Sequence, residues 1–441
     1  MLHLLVLGAT LAQTAAAGVA GLPEPPRLPS PLTLEQAEEI FLAHGLDMLV
    51  AEANARGAEG DLTAAGAHPN PGLNVGVNYG PAVSGDILSS NLGTDKPNVT
   101  WGLGFGLTDN ASIEDALSGK HALRIEAAAK ALAAVRQSVA DLRRNEVSQV
   151  RQAFVAILLA NDNLAFALDV QKSYQQSYEL NQTRYKKGDI NEADLAKISV
   201  AKLEADQAVT QAREGTEVAR DALAFLLGAR GEIPSFEVAG DLDFRILPAL
   251  EGKSEPDLLA LGLAHRPDVK AATAAREQQE ALVAQARRLV FPDVSLQLGY
   301  SEQCNSSTCS SVPTFDVGLS GNLPVLYQQQ GEIRRAESNL VAAQAMEEKA
   351  RAQVLSDVGQ AWASYRAARE LVERMEHAEL AQAKLSRDLE ELMYRKGAAS
   401  LLDYLDAERT YIAANLEYHQ DLSSYWNAVF QLEQATALPL R

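Results

Sequence analysis

The residues best suited to chemistry are two carboxylates one helical turn apart, Asp403 and Asp406. This spacing puts both side chains on one face of a helix. If symmetry brought several copies of the pair together, the like charges would raise one another's pKa and attract cations. The alternative is an ordinary solvated helix start, where acids favour the helix dipole and Asp406 pairs with Arg409.

The cysteines and histidines give weaker evidence for a functional site. Cys304 and Cys309 are separated by four residues in a Ser-rich loop, which favours a local disulfide in an oxidising compartment over a metal clip. His44 and His265 recur at matching repeat positions, and packing near a short helix is favoured over metal binding. The sequence has no phosphate-binding glycine loop and no motif for a nucleophile and its base. We therefore expect no metal, no cofactor and no enzyme.

Composition narrows the class of protein. The net charge of −19 over 441 residues argues against a nucleic-acid partner, which needs a basic surface. Residues 1–20 resemble a secretory signal, with an apolar stretch followed by small residues. Beyond them, no apolar run reaches the roughly 18 residues that a membrane helix needs. If the protein lies in a membrane, we expect strands rather than helices to hold it there.

The chain contains an internal repeat. Tyr185-Lys186-Lys187-Gly188 recurs as Tyr394-Arg395-Lys396-Gly397, and Ala43-His44 recurs as Ala264-His265. Two copies of one structural unit are therefore predicted, each with a short helix, two strands, a long helix, a tight turn and a second short helix. The turns are placed near 185–191 and 394–400, at Gly188 and Gly397.

The pattern of apolar residues sets the predicted boundaries. Strict alternation predicts strands, each with an apolar face and a small polar face, whereas steps of three and four residues predict long helices with coiled-coil spacing. A Pro-rich lead-in precedes the first repeat, and an irregular connector, expected at mid-length, separates the repeats. The predicted parts are the signal 1–20, lead-in 21–32, repeat 1 at 33–228 with strands 73–80 and 98–108, connector 229–256, and repeat 2 at 257–441 with strands 293–301 and 314–321.

Four such strands cannot close a membrane barrel alone, because the two edge strands would leave backbone groups unpaired in lipid. Three chains would supply twelve strands, enough to enclose a passage. The predicted fold class is therefore mainly α with a small β part. It is a homotrimeric α/β-barrel with four transmembrane strands and long periplasmic coiled-coil helices per chain, in two structural repeats. An ordinary sandwich with one buried face is the alternative.

The sequence resembles the outer-membrane efflux protein (TolC) family along essentially all of its mature length. The resemblance rests on the repeat, on the strand pairs after Pro71 and Pro292, and on Tyr394-Arg395-Lys396-Gly397 followed by Leu401-Leu402-Asp403-Tyr404-Leu405-Asp406-Ala407. The last stretch is similar to the family motif at the periplasmic tip. The resemblance implies an exit channel in the outer membrane that works with a periplasmic adaptor and an inner-membrane transporter.

The resemblance also implies a gate at the tip. Tyr394 matches the gating tyrosine of the family, and Asp194 matches the acid that this tyrosine contacts in the closed state. Asp403 and Asp406 match the rings of carboxylates at the constriction. Ala399 stands where the family has a gating arginine, and Arg395 or Lys396 are candidates to replace it.

A second class of function stays open at this point: a secreted coiled-coil structural protein or periplasmic adaptor without a pore. An adaptor should have closely spaced β-domains around one helical hairpin, whereas this chain has two hairpins and two glycine-rich strand pairs. The sequence leaves the cargo open between metal ions, drugs and proteins.

Overall fold

The computed structural model describes residues 21–81, 99–109, 118–233, 235–305, 311–321 and 324–440. These residues form two compact units, and each unit takes segments from both halves of the chain. Unit 1 consists of the described residues of Met1–Leu49, Glu146–Phe244 and Ala368–Asn427. Unit 2 consists of those of Val50–Asn145, Arg245–Ala367 and Ala428–Arg441. The predicted signal segment lies outside the described residues.

Helices make up most of the described chain, which confirms the mainly α class with a small β part. A capping box begins the first helix, because Thr33 Oγ1 accepts from the Gln36 N–H at 3.3 Å and Gln36 Oε1 accepts from the Thr33 N–H at 3.1 Å. The helices are α1 (Leu34–His44), α2 (Leu46–Gly66), α3 (Lys120–Lys187), α4 (Glu192–Leu226), α5 (Glu255–His265), α6 (Pro267–Arg288), α7 (Gln330–Arg374), α8 (Leu380–Lys396) and α9 (Leu401–Thr436).

The strands form one antiparallel sheet in unit 2, in the order β1-β2-β3-β4. Their bounds are β1 (Gly72–Pro81), β2 (Val99–Thr108), β3 (Val294–Asn305) and β4 (Ser311–Gly321). Strand β3 is longer than predicted, because its backbone pairing continues past Ser301 as far as Cys304 opposite Ser311. Strands β1 and β4 are the two edges of this sheet.

The apolar face of the sheet is uncovered within the chain. Val77 and Tyr79 on β1 are 72% and 80% exposed, and Phe315 and Leu319 on β4 are 79% and 75% exposed. An apolar patch of this kind on a rigid sheet normally contacts a partner or lipid. The sandwich alternative requires this face to be buried, and the described residues do not bury it.

Two of the short helices are interrupted where the sequence predicts continuous ones. Gly45 separates α1 from α2, and Arg266 separates α5 from α6, both with extended backbone at φ −56°, ψ 125° and φ −60°, ψ 127°. The cause at the second break is Pro267, because proline disfavours the helical conformation in the residue before it. At the first break the α-carbon lies close to the Phe41 ring, and a Cβ there would come within 2.6 Å of it.

The second long helix contains a π-helical turn, Met375–Glu379, between α7 and α8. The Leu380 N–H bonds to the carbonyl of Met375 five residues earlier, which is the π-helical spacing. Neither proline nor glycine marks this position in the sequence, and the turn was not predicted.

One described helix is long and apolar enough to cross a membrane by length and composition. It is α3, in which an 18-residue window has a mean hydropathy of 1.6 and is 28% buried. The sequence predicts no membrane helix. Only its length and composition single out this window, and a helix that packs against other helices of a protein can have the same length and hydropathy.

The lead-in and the connector meet in unit 1. Leu32 is fully buried and forms a parallel bridge with Val238, with N–H to O distances of 2.8 Å on both sides. The Trp426 indole N–H donates to the carbonyl of Asp243 at 3.0 Å, which ties the connector to α9. These bonds fix a connector that is irregular except for a 3-10 turn at Pro248–Leu250.

Candidate functional site at the helix turns

Two glycine turns join the helices of unit 1. Gly188 follows α3 and Gly397 follows α8, with φ values of +81° and +78°. Both turns close with a hydrogen bond spanning five residues, from the Asp189 N–H to Arg184 O at 2.9 Å and from the Ala398 N–H to Met393 O at 2.8 Å. Both positions have open space around the α-carbon, so glycine is needed for its backbone conformation and not for room.

The helix after each turn begins with a side-chain cap. Asn191 Oδ1 accepts from the Asp194 N–H at 2.8 Å, and Ser400 Oγ accepts from the Asp403 N–H at 3.2 Å. Asp403 returns the bond, because its Oδ2 accepts from the Ser400 hydroxyl at 2.7 Å and the Ser400 N–H at 3.1 Å. These hydrogen bonds lower the pKa of Asp403, which therefore carries its charge at neutral pH.

The two predicted constriction residues lie together on α9, and both are exposed within the chain. Asp403 has the local capping role described above. Arg409, which the alternative interpretation pairs with Asp406, instead lies 3.8 Å from Glu204. The rings of carboxylates need other copies of the chain and stay a prediction.

Tyr394 is buried in the core next to the turns. Its side chain is 7% exposed, and its hydroxyl donates a short hydrogen bond to Asn181 Oδ1 on α3. Its ring stacks on Tyr404, with centroids 5.5 Å apart and an angle of 5° between the planes. The Tyr404 hydroxyl lies 3.0 Å from Ser177 Oγ. These contacts connect the hairpin α3–α4 to the hairpin α8–α9.

The structure does not bring Tyr394 and Asp194 together within the chain. Asp194 Oδ1 instead lies 3.2 Å from Lys197 Nζ. A contact between Tyr394 and Asp194 would need a neighbouring chain or a different arrangement of the turns. The tip gate therefore stays a prediction for both residues.

The arginine beside the tyrosine is Arg184, which the sequence reasoning missed. Its guanidinium carbon lies 5.1 Å from the Tyr394 ring centroid, and its Nη2 donates to the carbonyl of Arg395 at 2.9 Å. The Arg395 side chain pairs with Glu391 on its own helix. The signal available in the sequence was the position of Arg184 next to the repeated Tyr185.

A buried carboxylate lies one helical turn beyond Tyr404. Glu408 is 1% exposed, its Oε2 has no hydrogen-bond partner, and the nearest guanidinium nitrogen, on Arg387, is 4.0 Å away. Burial raises the pKa of Glu408, Arg387 opposes the rise, and Glu391 and Asp388 add to it. The folded protein therefore holds a proton here more tightly than the unfolded chain does.

We expect Glu408→Gln to stabilise the protein at pH 7.5 by about 1–3 kcal/mol, because a neutral amide avoids the cost of ionising a buried carboxyl. The wild type should lose stability as pH rises from the ordinary carboxyl pKa of 4.5 through the raised value, since the folded state binds more protons there. Melting temperatures between pH 4.5 and 8 measure both effects. The control is Glu417→Gln, at an exposed position on the same helix. An unchanged pH slope in Glu408→Gln would contradict this account.

A second polar cluster lies in unit 2 around Arg266, which is 2% exposed. Its Nε and Nη2 donate to Asp268 at 3.0 and 2.6 Å, and its Nη1 donates to Asp357 at 2.7 Å. Arg144 and Asp141 form a second pair beside a cavity of about 400 Å³. Each aspartate of the cluster lies within ion-pair distance of Arg266 or Arg144, which is typical of a structural ion-pair network.

The remaining predicted residues do not form a site in the described chain. Cys304 lies on β3, whereas Cys309 lies outside the described residues, and the disulfide stays a prediction. His44 ends α1 with its Nδ1 buried and without a hydrogen bond, and His265 is exposed at the end of α5. Among the residues that the structure describes, no group of three His, Cys, Asp or Glu side chains could hold a metal ion.

Known proteins share both the sequence pattern and the fold. CzcC of Cupriavidus metallidurans, a cobalt-zinc-cadmium resistance protein, is 24% identical over 405 residues, which cover 92% of this chain and 90% of CzcC. CusC of Escherichia coli strain K12, a cation efflux system protein, is 25% identical over 76% of this chain and 73% of its own.

Solved structures share the fold. The structure of the outer-membrane channel OprN superposes with a TM-score of 0.77 at 21% identity and covers 97% of both chains. The open-state MtrE channel of Neisseria gonorrhoeae gives a TM-score of 0.72 at 20% identity, over 92% of this chain and 89% of its own.

The family model for outer membrane efflux proteins matches residues 39–229 and 258–438, which include both turns, all four strands and Tyr394, Asp403 and Asp406. The match favours the channel over the pore-less coiled-coil or adaptor alternative. An outer-membrane protein is expected to have an exposed apolar sheet, and the described chain has such a sheet and two helical hairpins. This chain belongs to the outer membrane efflux protein family, whose members are channels of the outer membrane and not enzymes.

Proposed function

We propose that the chain forms a homotrimeric exit channel that passes metal cations out of the cell, together with a periplasmic adaptor and an inner-membrane transporter. The observation that carries the cargo is the resemblance to CzcC along 92% of this chain. The residues described here offer no metal cluster, so the channel conducts ions that its partners select.

The trimer is supported by the sheet. Among the described residues, strands β1 and β4 each have one edge without a partner strand, which lipid does not tolerate. Three sheets side by side would pair these edges in a barrel of about twelve strands. The apolar side chains would face lipid, and small residues such as Gly76, Gly104 and Gly106 would face the lumen.

The experiment for this function uses a strain that lacks the gene. Expression of the chain should restore growth on cobalt, zinc or cadmium. Native mass spectrometry of the purified protein should give three times the mass of the mature chain, which is the 47.4 kDa of the full sequence less the cleaved signal. Restored drug resistance without metal resistance would overturn the proposed cargo. A monomer in mild detergent that retains its fold would overturn the trimer.

The gate at the tip is proposed to close through Tyr394. Its hydroxyl bond to Asn181 and its stack on Tyr404 join two hairpins, and Arg184 covers the ring. An adaptor that separates the hairpins would have to break these contacts. Asp194, predicted as the partner of Tyr394, would contact it only in the assembled trimer. Gly188 and Gly397 would allow the positive φ angles that the two turns need.

We expect Tyr394→Phe to raise the resting conductance of the reconstituted channel roughly five- to tenfold, because a lost hydrogen bond weakens the closed state by about 1–1.5 kcal/mol. The stack on Tyr404 survives this change. Planar-bilayer recording measures the effect. Tyr185→Phe is the matched control, since it changes the repeat counterpart, which is 41% exposed. A resting conductance equal to that of the control would rule out the gate.

A further inference from the structure

The end of the sheet next to the helices has a set of exposed apolar side chains on two segments. One segment lies between α6 and β3, and the other lies between β4 and α7. Because Val294 pairs with Gly321, both segments lie at the same end of the sheet. We call this set the apolar belt; it consists of Leu289, Val290, Phe291, Val325, Leu326 and Tyr327.

The belt side chains are exposed, and hydrogen bonds fix both of the segments that carry them. Leu326 is 100% exposed and Val325 is 73% exposed. The next residue, Tyr327, is fixed, because its hydroxyl donates to Glu332 at 2.7 Å and accepts from the Gly331 N–H at 2.9 Å. Lys120 Nζ fixes the other segment by donating to the carbonyl of Phe291 at 2.9 Å. The apolar belt side chains beside these fixed points are exposed among the described residues, and an exposed apolar surface of this kind normally contacts an external partner.

Exposed arginines flank the belt in a chain whose net charge is −19. The four belt arginines are Arg287, Arg288, Arg334 and Arg335. Arg288 lies over the Phe291 ring at 5.6 Å, and Arg287 pairs with Glu337 at 2.8 Å, which joins the end of α6 to the start of α7. Arg334 has no carboxylate within ion-pair distance among the described residues. The four arginines and Lys120 lie near three acids, Asp293, Glu332 and Glu337, so positive charge is in excess next to the belt.

We infer that the belt and its four arginines form a docking surface for the headgroups of anionic phospholipids. Arginine binds phosphate through two parallel hydrogen bonds, and its alkyl stem can lie along apolar surface. Aromatic residues such as Phe291 and Tyr327 favour the boundary between lipid tails and water. The apolar face of β4, including Leu319, continues from the belt into the region proposed to span the membrane.

The inference rests on the proposed insertion of the sheet in the outer membrane. The first repeat does not share the feature, because His68-Pro69-Asn70 stands at the positions of Leu289-Val290-Phe291. In the part of the chain that the structure describes, the surface at this junction is therefore on the β3–β4 side. The inference predicts that anionic lipid binds at this one surface of each chain.

The test titrates the purified full-length protein in neutral detergent with phosphatidylglycerol, phosphatidylcholine or inorganic phosphate. Bound lipid is counted by native mass spectrometry. We expect the wild type to retain phosphatidylglycerol roughly tenfold better than phosphatidylcholine, and the variant with all four belt arginines changed to glutamine to lose this preference. The control makes the same charge change at four other arginines: Arg213, Arg220, Arg366 and Arg409.

Each outcome decides the inference. Equal retention of both lipids by the wild type, or equal loss in the control variant, would overturn it. Competition by inorganic phosphate at matched concentration would indicate an anion site and not a lipid surface. If the fourfold variant does not fold, Arg334→Gln with Arg335→Gln replaces it, and these two side chains are exposed. Failure of the proposed insertion is distinguishable, since such a protein would not enter vesicles of any composition.

The apolar part of the belt is tested separately with Leu326→Ser. We expect a several-fold loss of protein from vesicles after carbonate extraction, and no loss for Leu402→Ser, which changes a leucine that is 61% exposed beside the turns. Dissociation of the oligomer by Leu326→Ser would show that a second copy of the chain, and not lipid, covers the belt.

Discussion

Arg266→Ala is expected to lower the free energy of unfolding by about 3–5 kcal/mol, because it leaves two carboxylates in a buried cluster without their cation. Arg266 is 2% exposed and bonds to Asp268 through two nitrogens and to Asp357 through a third. It also lies at the break between α5 and α6, where Pro267 forces extended backbone. Arg266 is therefore the cation that both carboxylates share, although Asp357 also accepts from Gln353 Nε2 at 2.7 Å.

This loss should depend on pH. Burial alone would raise the pKa of Asp268, but the hydrogen bonds and charge of Arg266 outweigh it and hold that pKa below the ordinary 3.8. A lowered carboxyl pKa contributes stability above its unfolded value, and this contribution is lost as pH falls through the folded value. The difference between wild type and variant should therefore be full at pH 7 and shrink below about pH 4.

Thermal and denaturant unfolding in detergent measure the effect. The matched control is Arg136→Ala, because Arg136 pairs with Glu59 at 2.8 Å and both side chains are more than half exposed. Such a pair contributes about 0–1 kcal/mol. Arg266→Lys should fall between the two, since it keeps the charge and loses the two-pronged bond. A loss in Arg266→Ala no larger than that of the control would contradict the buried-network account.

Asp403→Asn combined with Asp406→Asn is expected to reduce the cation selectivity of the channel several-fold and to weaken block by multivalent cations roughly tenfold. In the proposed trimer, six carboxylates would surround a narrow passage, and the field of like charges adds in such a space. The charge of Asp403 is maintained at neutral pH, because its bonds to Ser400 lower its pKa. Asparagine keeps the size and an acceptor for the helix cap, so the change is mainly electrostatic.

Reversal potentials in asymmetric salt and block by trivalent cations measure this effect. The control is Glu214→Gln with Glu217→Gln, which removes two exposed charges at the same spacing on α4. Equal selectivity in wild type, double variant and control would mean that the two aspartates serve only as a helix start. If the two aspartates only cap the helix, the double variant should have a changed melting temperature and the ion selectivity of the wild type.

Much of the architecture follows from local patterns. Alternation of apolar and small residues places all four strands, and Gly188 and Gly397 mark the two turns, because few residues other than glycine adopt positive φ without strain. The motif from Tyr394 to Ala407 indicates the family.

Side-chain partners were decided by the tertiary structure. Tyr394 bonds to Asn181, which precedes it by 213 residues, and Arg184 covers its ring. The family resemblance named neither residue; its contact between Tyr394 and Asp194, and Arg395 or Lys396 in place of the gating arginine, stay predictions. Periodicity identifies the face that a helix buries, but it does not determine which residue of the facing helix lies opposite. A hydrogen bond depends on that register to within about 1 Å.

Burial of charge likewise needed the fold. Glu408 and Arg266 occur in stretches rich in charged residues, and nothing local distinguishes them from exposed neighbours such as Glu417. A charge becomes buried only when segments distant in sequence pack around it, as Asp357 does at Arg266. The sequence by itself determined the elements, the turns and the family of this protein, because these depend on neighbours along the chain. The tertiary structure decided the contacts of Tyr394, Glu408 and Arg266, because these depend on how distant helices pack.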